Sequence, residues 1–156
     1  MKTLLILVGK TTDRHFQAAI SDYVGRIGHY MPFELVTIPE MKATRSLTEE
    51  QQKSAEGDLI IKLLQPTDTV VLLDEHGSEL RSIELARWLE RKRNTARRLV
   101  FVVGGPYGFS EAVYARANEK LSLSRMTFSH QMVRLIFVEQ IYRACTIIKG
   151  EPYHHE

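Results

Sequence analysis

Strand-sized apolar runs alternate with helix-length amphipathic segments along the whole chain, and this alternation leaves few folds open. Residues 3–8 form an almost unbroken apolar run; residues 69–73 and 99–103 are two more, residues 33–38 read as a further strand, and residues 121–123 as a short last one. Runs without polar interruption belong to strands buried on both faces, as parallel strands covered by crossover helices are. The expected class is therefore α/β, with a mostly parallel sheet flanked by helices. Residues 99–103, the most hydrophobic, are expected at its centre. With 156 residues and no repeat or linker, one domain spanning 1–156 is expected.

The helices carry their own punctuation. Asp13 is placed to cap a helix bearing Phe16, Ala19, Ile20, Tyr23 and Ile27 at helical spacing, with Gly28 as its stop. Thr48 and Gln51 fit a capping box opening a helix to about Leu64, ended by Pro66. A third helix, about 82–93, turns Ile83, Leu85, Ala86 and Leu89 inward and runs out into the basic segment 91–98. A short helix starts at Ser110-Glu111. A long last one, about 131–149, carries Val133, Ile136, Phe137, Ile141, Ala144 and Ile148 along one side. Residues 40–46 are polar and expected to form a loop that moves, residues 74–77 a turn, and residues 150–156 a tail.

No apolar run is long enough to span a bilayer. The start superficially resembles a signal peptide, but Gly9-Lys10 ends its apolar stretch early and no small-residue cleavage site follows. A single cysteine, Cys145, allows no internal disulfide, which fits a reducing cytoplasm; a soluble, cytoplasmic protein is expected. The net charge of +2 conceals an asymmetry: residues 1–78 hold 8 Lys/Arg against 11 Asp/Glu, residues 79–156 hold 13 against 8. A basic second half suits a polyanionic partner, and equally suits solvated helix faces that happen to be basic.

In an open parallel sheet, ligands bind beyond the carboxyl ends of the strands. Three segments fall there: the turn after Leu73, Gly104-Gly105-Pro106-Tyr107-Gly108, and residues 122–130. The glycine segment is neither the dinucleotide fingerprint nor a P-loop. It is a ligand loop, whose glycines admit close backbone approach, or only a tight strand-to-helix turn. Residues 121–130 alternate apolar and hydroxyl side chains. They could present backbone groups to an adenine edge, or form a packed loop with Ser129 capping the last helix. Arg134 and Arg143 are candidates for phosphate contacts, unless Glu139 pairs with one of them. Tyr153, His154 and His155 cluster in the tail, where they stack on a base or simply fray. Metal binding by the histidines lacks any ligand spacing to support it, so no metal is expected. Cys145 falls on an apolar helix side and reads as core.

Together these segments resemble the RlmH family, the large-subunit ribosomal RNA (pseudouridine-N3) methyltransferases of the SPOUT superfamily. The similarity rests on Leu-Val-Gly-Lys at 7–10, Leu73-Asp74, the glycine segment 104–108, residues 121–130, Val133-Arg134, residues 139–144 and Pro152-Tyr153-His154. It spans the whole chain. It implies a SPOUT-type α/β knot, with a C-terminal trefoil knot that holds S-adenosyl-L-methionine and a homodimer built on the knot region. It places the cofactor at Leu73, Gly104, Ser122, Leu123, Ser124, Arg125, Met126 and Thr127, and makes 23S rRNA of the assembled ribosome the substrate. Arg134, Arg143, Tyr153 and His154 are the expected RNA contacts. His154 and His130 are candidates for the base that removes the N3 proton, a role the sequence leaves unassigned. One departure stands out: Ser129 occupies a position usually held by proline, which is expected to loosen the start of the last helix. Two alternatives remain beside the methyltransferase reading: a non-catalytic ribosome-binding or assembly factor, and a methyltransferase for another RNA such as tRNA.

Overall fold

The computed structural model describes residues 1–40 and 47–155. The elements run β1 (Lys2–Val8), α1 (Arg14–Ile27), β2 (Phe33–Ile38), α2 (Glu49–Lys62), β3 (Thr69–Glu79), α3 (Ser82–Thr95), β4 (Arg98–Val103), α4 (Glu111–Arg116), β5 (Glu119–Ser122) and α5 (Met132–Lys149). The expected moving loop lies almost entirely on residues 41–46, outside the described residues.

Five parallel strands form one sheet in the order β2-β1-β4-β3-β5, with the most hydrophobic strand at the centre as its composition predicts. Alternate side chains of each strand enter two separate cores. Leu5, Leu7, Phe101 and Val103 meet α1, α3 and α5 through Ile20, Ile27, Leu85, Leu89, Phe137 and Ile141. Leu4, Ile6, Val100 and Val102 face the other way, toward Ile60 of α2 and Val113 of α4. Burying each such side chain contributes about 1.5–3 kcal/mol, which is why both faces must be covered. Phe101 and Phe137 lock the centre of the first core, their rings edge to face at 4.8 Å.

Local signals start the helices as expected. Asp13 Oδ1 accepts from the His15 and Phe16 amides at 2.8 and 3.1 Å, and Thr48 with Gln51 forms a reciprocal capping box. Below the sheet, Arg98 makes a two-pronged bond to buried Asp68, at 2.8 and 2.6 Å, and also donates to the Leu63 carbonyl.

One expectation fails. The turn expected at 74–77 does not end β3, which continues to Glu79. Leu121 pairs with Leu73 and again with Ser78, so residues 74–77 bulge out from the ladder and return to it. The bulge closes tightly over β5: a Cβ on Gly77 would lie 2.6 Å from the Leu121 nitrogen, a separation only glycine avoids.

Candidate active site

The sheet order brings the ends of β4, β3 and β5 side by side, so the three segments that follow them converge. Between them lies a cavity of about 430 Å³, within the range typical of small-molecule sites. Leu73, Gly104, Ser122, Leu123, Ser124, Met126 and Thr127 all line it. Arg125 does not: its side chain is 90% exposed and pairs with Glu79 at 3.2 Å. A larger hollow of about 540 Å³ sits outside β5, among Trp88, Asn118 and Lys120, but neither glycine loop 104–108 nor residues 122–127 reach it.

The glycine segment is both a turn and a wall. Gly108 has φ +81° and its amide donates to the Gly105 carbonyl at 3.2 Å, tightening the loop. A Cβ on Gly104 would stand 2.9 Å from the Phe109 ring. Opposite it, residues 122–127 hold their own shape: Ser122 Oγ donates to the Ser124 carbonyl, and Ser124 Oγ accepts from the Met126 amide, each at 3.0 Å. Met126 is left 78% exposed over the mouth.

Asp74, Tyr107, Phe109 and Tyr114 line the same cavity; Tyr107 lies in the glycine segment and Asp74 in the turn that the sequence marked, whereas Phe109 and Tyr114 carried no such mark. Tyr114 donates a short hydrogen bond to Asp74 Oδ2, and Asp74 Oδ1 accepts from the His76 amide. Burial and then the Asp74 carboxylate push the Tyr114 hydroxyl up to about 12, so it stays a donor at neutral pH. Asp74 had a weak signal in its strand-end position; Tyr114 had none, because it arrives from α4 across the bulge.

The proposed RNA contacts separate. Arg134 is fully buried and donates to the carbonyls of Val8, Gly9 and His130 and to Thr11 Oγ1, at 2.7–3.0 Å. Burial lowers its pKa from the usual arginine value, outweighing the pull of the Glu40 carboxylate. A guanidinium so enclosed has no face left for a phosphate, which corrects the expectation; Arg134 instead ties the start of α5 to the end of β1. Gln131 adds to this latch by accepting from the Thr12 amide at 2.8 Å. Ser129 does not loosen the helix either. Its Oγ accepts from the Met132 amide at 3.1 Å and its carbonyl from Val133, so it supplies the cap a proline lacks.

Arg143 pairs with Glu139 at 2.6 Å, the alternative the sequence left open. The tail is held in place through His154. Gly150 turns it with φ +74°, Tyr153 donates to Glu139 Oε1 at 3.0 Å, and Arg143 lies over the Tyr153 ring and bonds His154 Nδ1 at 3.0 Å. Because a guanidinium only donates, His154 Nδ1 accepts and the imidazole proton sits on Nε2. That Nε2 is buried and has no partner among the described residues. Arg143 stands about 16 Å along α5 from its first residue, so within one chain the tail network does not line the cavity, whereas His130 does. Cys145 is buried, and burial pushes its thiol up to about 11, a core residue as expected.

No helix among the described residues is long and apolar enough to cross a membrane. No group of three or more His, Cys, Asp or Glu among them is placed to hold a metal.

The chain is similar throughout to proteins of one kind. The family model described as "Predicted SPOUT methyltransferase" matches residues 1–154. A protein of Bacteroides fragilis called ribosomal RNA large subunit methyltransferase H is 63% identical over 157 residues, covering 100% of both chains. Proteins with the same name from Christiangramia forsetii and Flavobacterium johnsoniae are 53% and 50% identical, over 99% and 100% of each chain. With cavity, topology and full-length similarity in agreement, the chain belongs to the SPOUT methyltransferases and, within them, to the ribosomal RNA large subunit methyltransferase H family.

Proposed function

We propose that the protein transfers a methyl group from S-adenosyl-L-methionine to N3 of a pseudouridine in 23S rRNA of the assembled ribosome. The observation that carries this reading is the convergence of Leu73, Gly104 and residues 122–127 on one cavity. The residues fit the cofactor: apolar walls from Leu73, Leu123 and Val133 suit an adenine ring, while the loop backbones and the Asp74–Tyr114 pair offer polar groups at the rim. When bound, the cofactor supplies an electrophilic methyl on a sulfonium. The protein's part is to hold the nitrogen in line with it, and placement of this kind supplies much of the rate.

N3 must also lose a proton. His130 lines the cavity and is the proposed acceptor within the same chain. A homodimer through the α5 side, with the cofactor held in a trefoil knot, completes the reading. Support for the knot comes from the match to the SPOUT family model over residues 1–154. Support for the dimer comes from Met132, exposed at the start of α5, and from Ile136, half-buried yet outside both cores. In such a dimer the partner's tail, with Tyr153, His154 and Arg143, approaches the cavity and contacts RNA. The location is cytoplasmic, where ribosomes are.

The test is incubation of the protein and labelled cofactor with assembled ribosomes, free subunits or tRNA. Label in ribosomal RNA of whole ribosomes supports the reading. Label in tRNA alone moves the activity to another RNA, and no cofactor binding at all leaves a non-catalytic ribosome-binding factor.

A further inference from the structure

Between Arg87 and Arg98 the chain carries six basic residues and a single carboxylate, Glu90. The structure divides the six. Arg98 turns inward to Asp68, and Lys92 closes on Glu119 while lying over the Trp88 ring at 5.6 Å. Arg87, Arg91, Arg93 and Arg97 are exposed, and none has an ion pair within 4.0 Å among the described residues. Helix electrostatics account for only part of this. Cations in a last turn gain about 0.3–1 kcal/mol from the helix dipole, which covers Arg93 but not Arg87, two turns earlier, nor Arg97, beyond the end. Arg87 and Arg91, four apart on one stripe, repel each other. Glu119 draws on Arg91 from a distance, but no carboxylate among the described residues closes an ion pair with either arginine.

We propose that the outer face and C-terminal end of α3 dock the phosphate backbone of the RNA whose nucleotide enters the cavity. This rests on the methyltransferase reading above and adds a surface to it. Guanidinium forks match phosphate oxygens two to two. α3 runs back from the cavity end of the sheet for 14 residues, so its end lies about 20 Å from that level. A contact there reads no base. It fixes the register of a large RNA while the cavity engages one nucleotide, and it demands a substrate that extends well past the target.

The test compares the full-length protein with its Arg87→Gln/Arg91→Gln/Arg93→Gln/Arg97→Gln variant. Two readouts are used: co-sedimentation with ribosomes, which needs no methyl transfer, and steady-state methylation across a salt series. The docking surface predicts co-sedimentation affinity and KM for ribosomes worse by tenfold or more near 0.1 M salt, with kcat within about twofold and cofactor affinity unchanged. The log–log salt slope falls by about 2–3, because each phosphate contact contributes a little under one. The Arg87→Lys/Arg91→Lys/Arg93→Lys/Arg97→Lys variant retains most of the slope. Unchanged co-sedimentation and slope overturn the docking surface, as does a fall in cofactor affinity or melting temperature that explains the loss by itself. If the unaltered protein methylates no ribosome, the function reading fails, while co-sedimentation still decides the surface. A pair variant, Arg87→Gln/Arg97→Gln, serves if the fourfold change does not fold.

Discussion

Leu121 of β5 stands opposite two residues of one strand, Leu73 and Ser78, and Gly77 between them presses against the Lys120–Leu121 backbone. This single crowded crossing holds the bulge of β3 over the cavity, so the cavity's shape depends on a position with no room for a side chain.

Gly77→Ala is expected to cost about 2–3 kcal/mol, since the clash is with backbone and cannot be relieved by a rotamer. The melting temperature then falls by roughly 5–10 °C. Gly25→Ala, in the last turn of α1 with nothing within 4 Å of the new Cβ, is the control. It is expected to gain about 0.5–1 kcal/mol. Thermal melts of both variants check the pair; equal melting temperatures contradict the crossing.

Gly104→Ala pushes on the far end of the Phe109 side chain, which packs edge to face on Tyr114 at 5.7 Å. The fold survives, but the cavity wall and the Tyr114–Asp74 bond shift. Titration calorimetry is expected to show S-adenosylmethionine affinity lowered at least tenfold; unchanged affinity puts the cofactor elsewhere.

Arg134→Met removes a buried charge and strands the carbonyls of Val8, Gly9 and His130. Each unsatisfied acceptor costs about 1–3 kcal/mol, so the loss is expected to reach about 3 kcal/mol or more in urea unfolding. Arg134→Lys falls between, keeping the charge without the fork. Full stability with a reduced salt slope for ribosome binding returns Arg134 to the RNA surface.

Asp68 links stability to acid. Burial raises its carboxyl, but the Arg98 bonds and the Gln65 amide outweigh burial and hold it below the ordinary aspartate range. A depressed folded pKa gives stability that is present above the unfolded value of about 3.9. That stability is lost as pH falls through the lower folded value. Urea midpoints from pH 7 to 2 are expected to show this loss in the unaltered protein. Asp68→Asn, already weaker by about 3 kcal/mol at neutral pH, is expected to show a smaller loss, that of carboxylates such as Glu119 remaining.

The legible parts of this molecule were those decided within a few residues. Asp13, the Thr48–Gln51 box and the apolar runs announce their elements because the partner groups are neighbours in sequence. The β3 bulge was not legible, since nothing in residues 74–77 reveals that β5 will pair on both sides of them. Arg134 looked like a surface arginine because three of its four acceptors, on Val8, Gly9 and Thr11, lie more than 120 residues away. The tail looked free for the same reason: Tyr153 is held by Glu139 and lies 3.4 Å from Tyr23. The cavity-lining loops were located by their place after the strands and given a cofactor by resemblance, while Tyr114 came only with the structure.

The most direct test is mass spectrometry of the nucleosides of large-subunit RNA after the protein acts on unmethylated ribosomes with labelled S-adenosylmethionine. The account predicts one labelled methyl on N3 of a single pseudouridine, present with the unaltered protein and strongly reduced with Gly104→Ala. A methyl on any other nucleoside, or none from a protein that binds the cofactor, contradicts it.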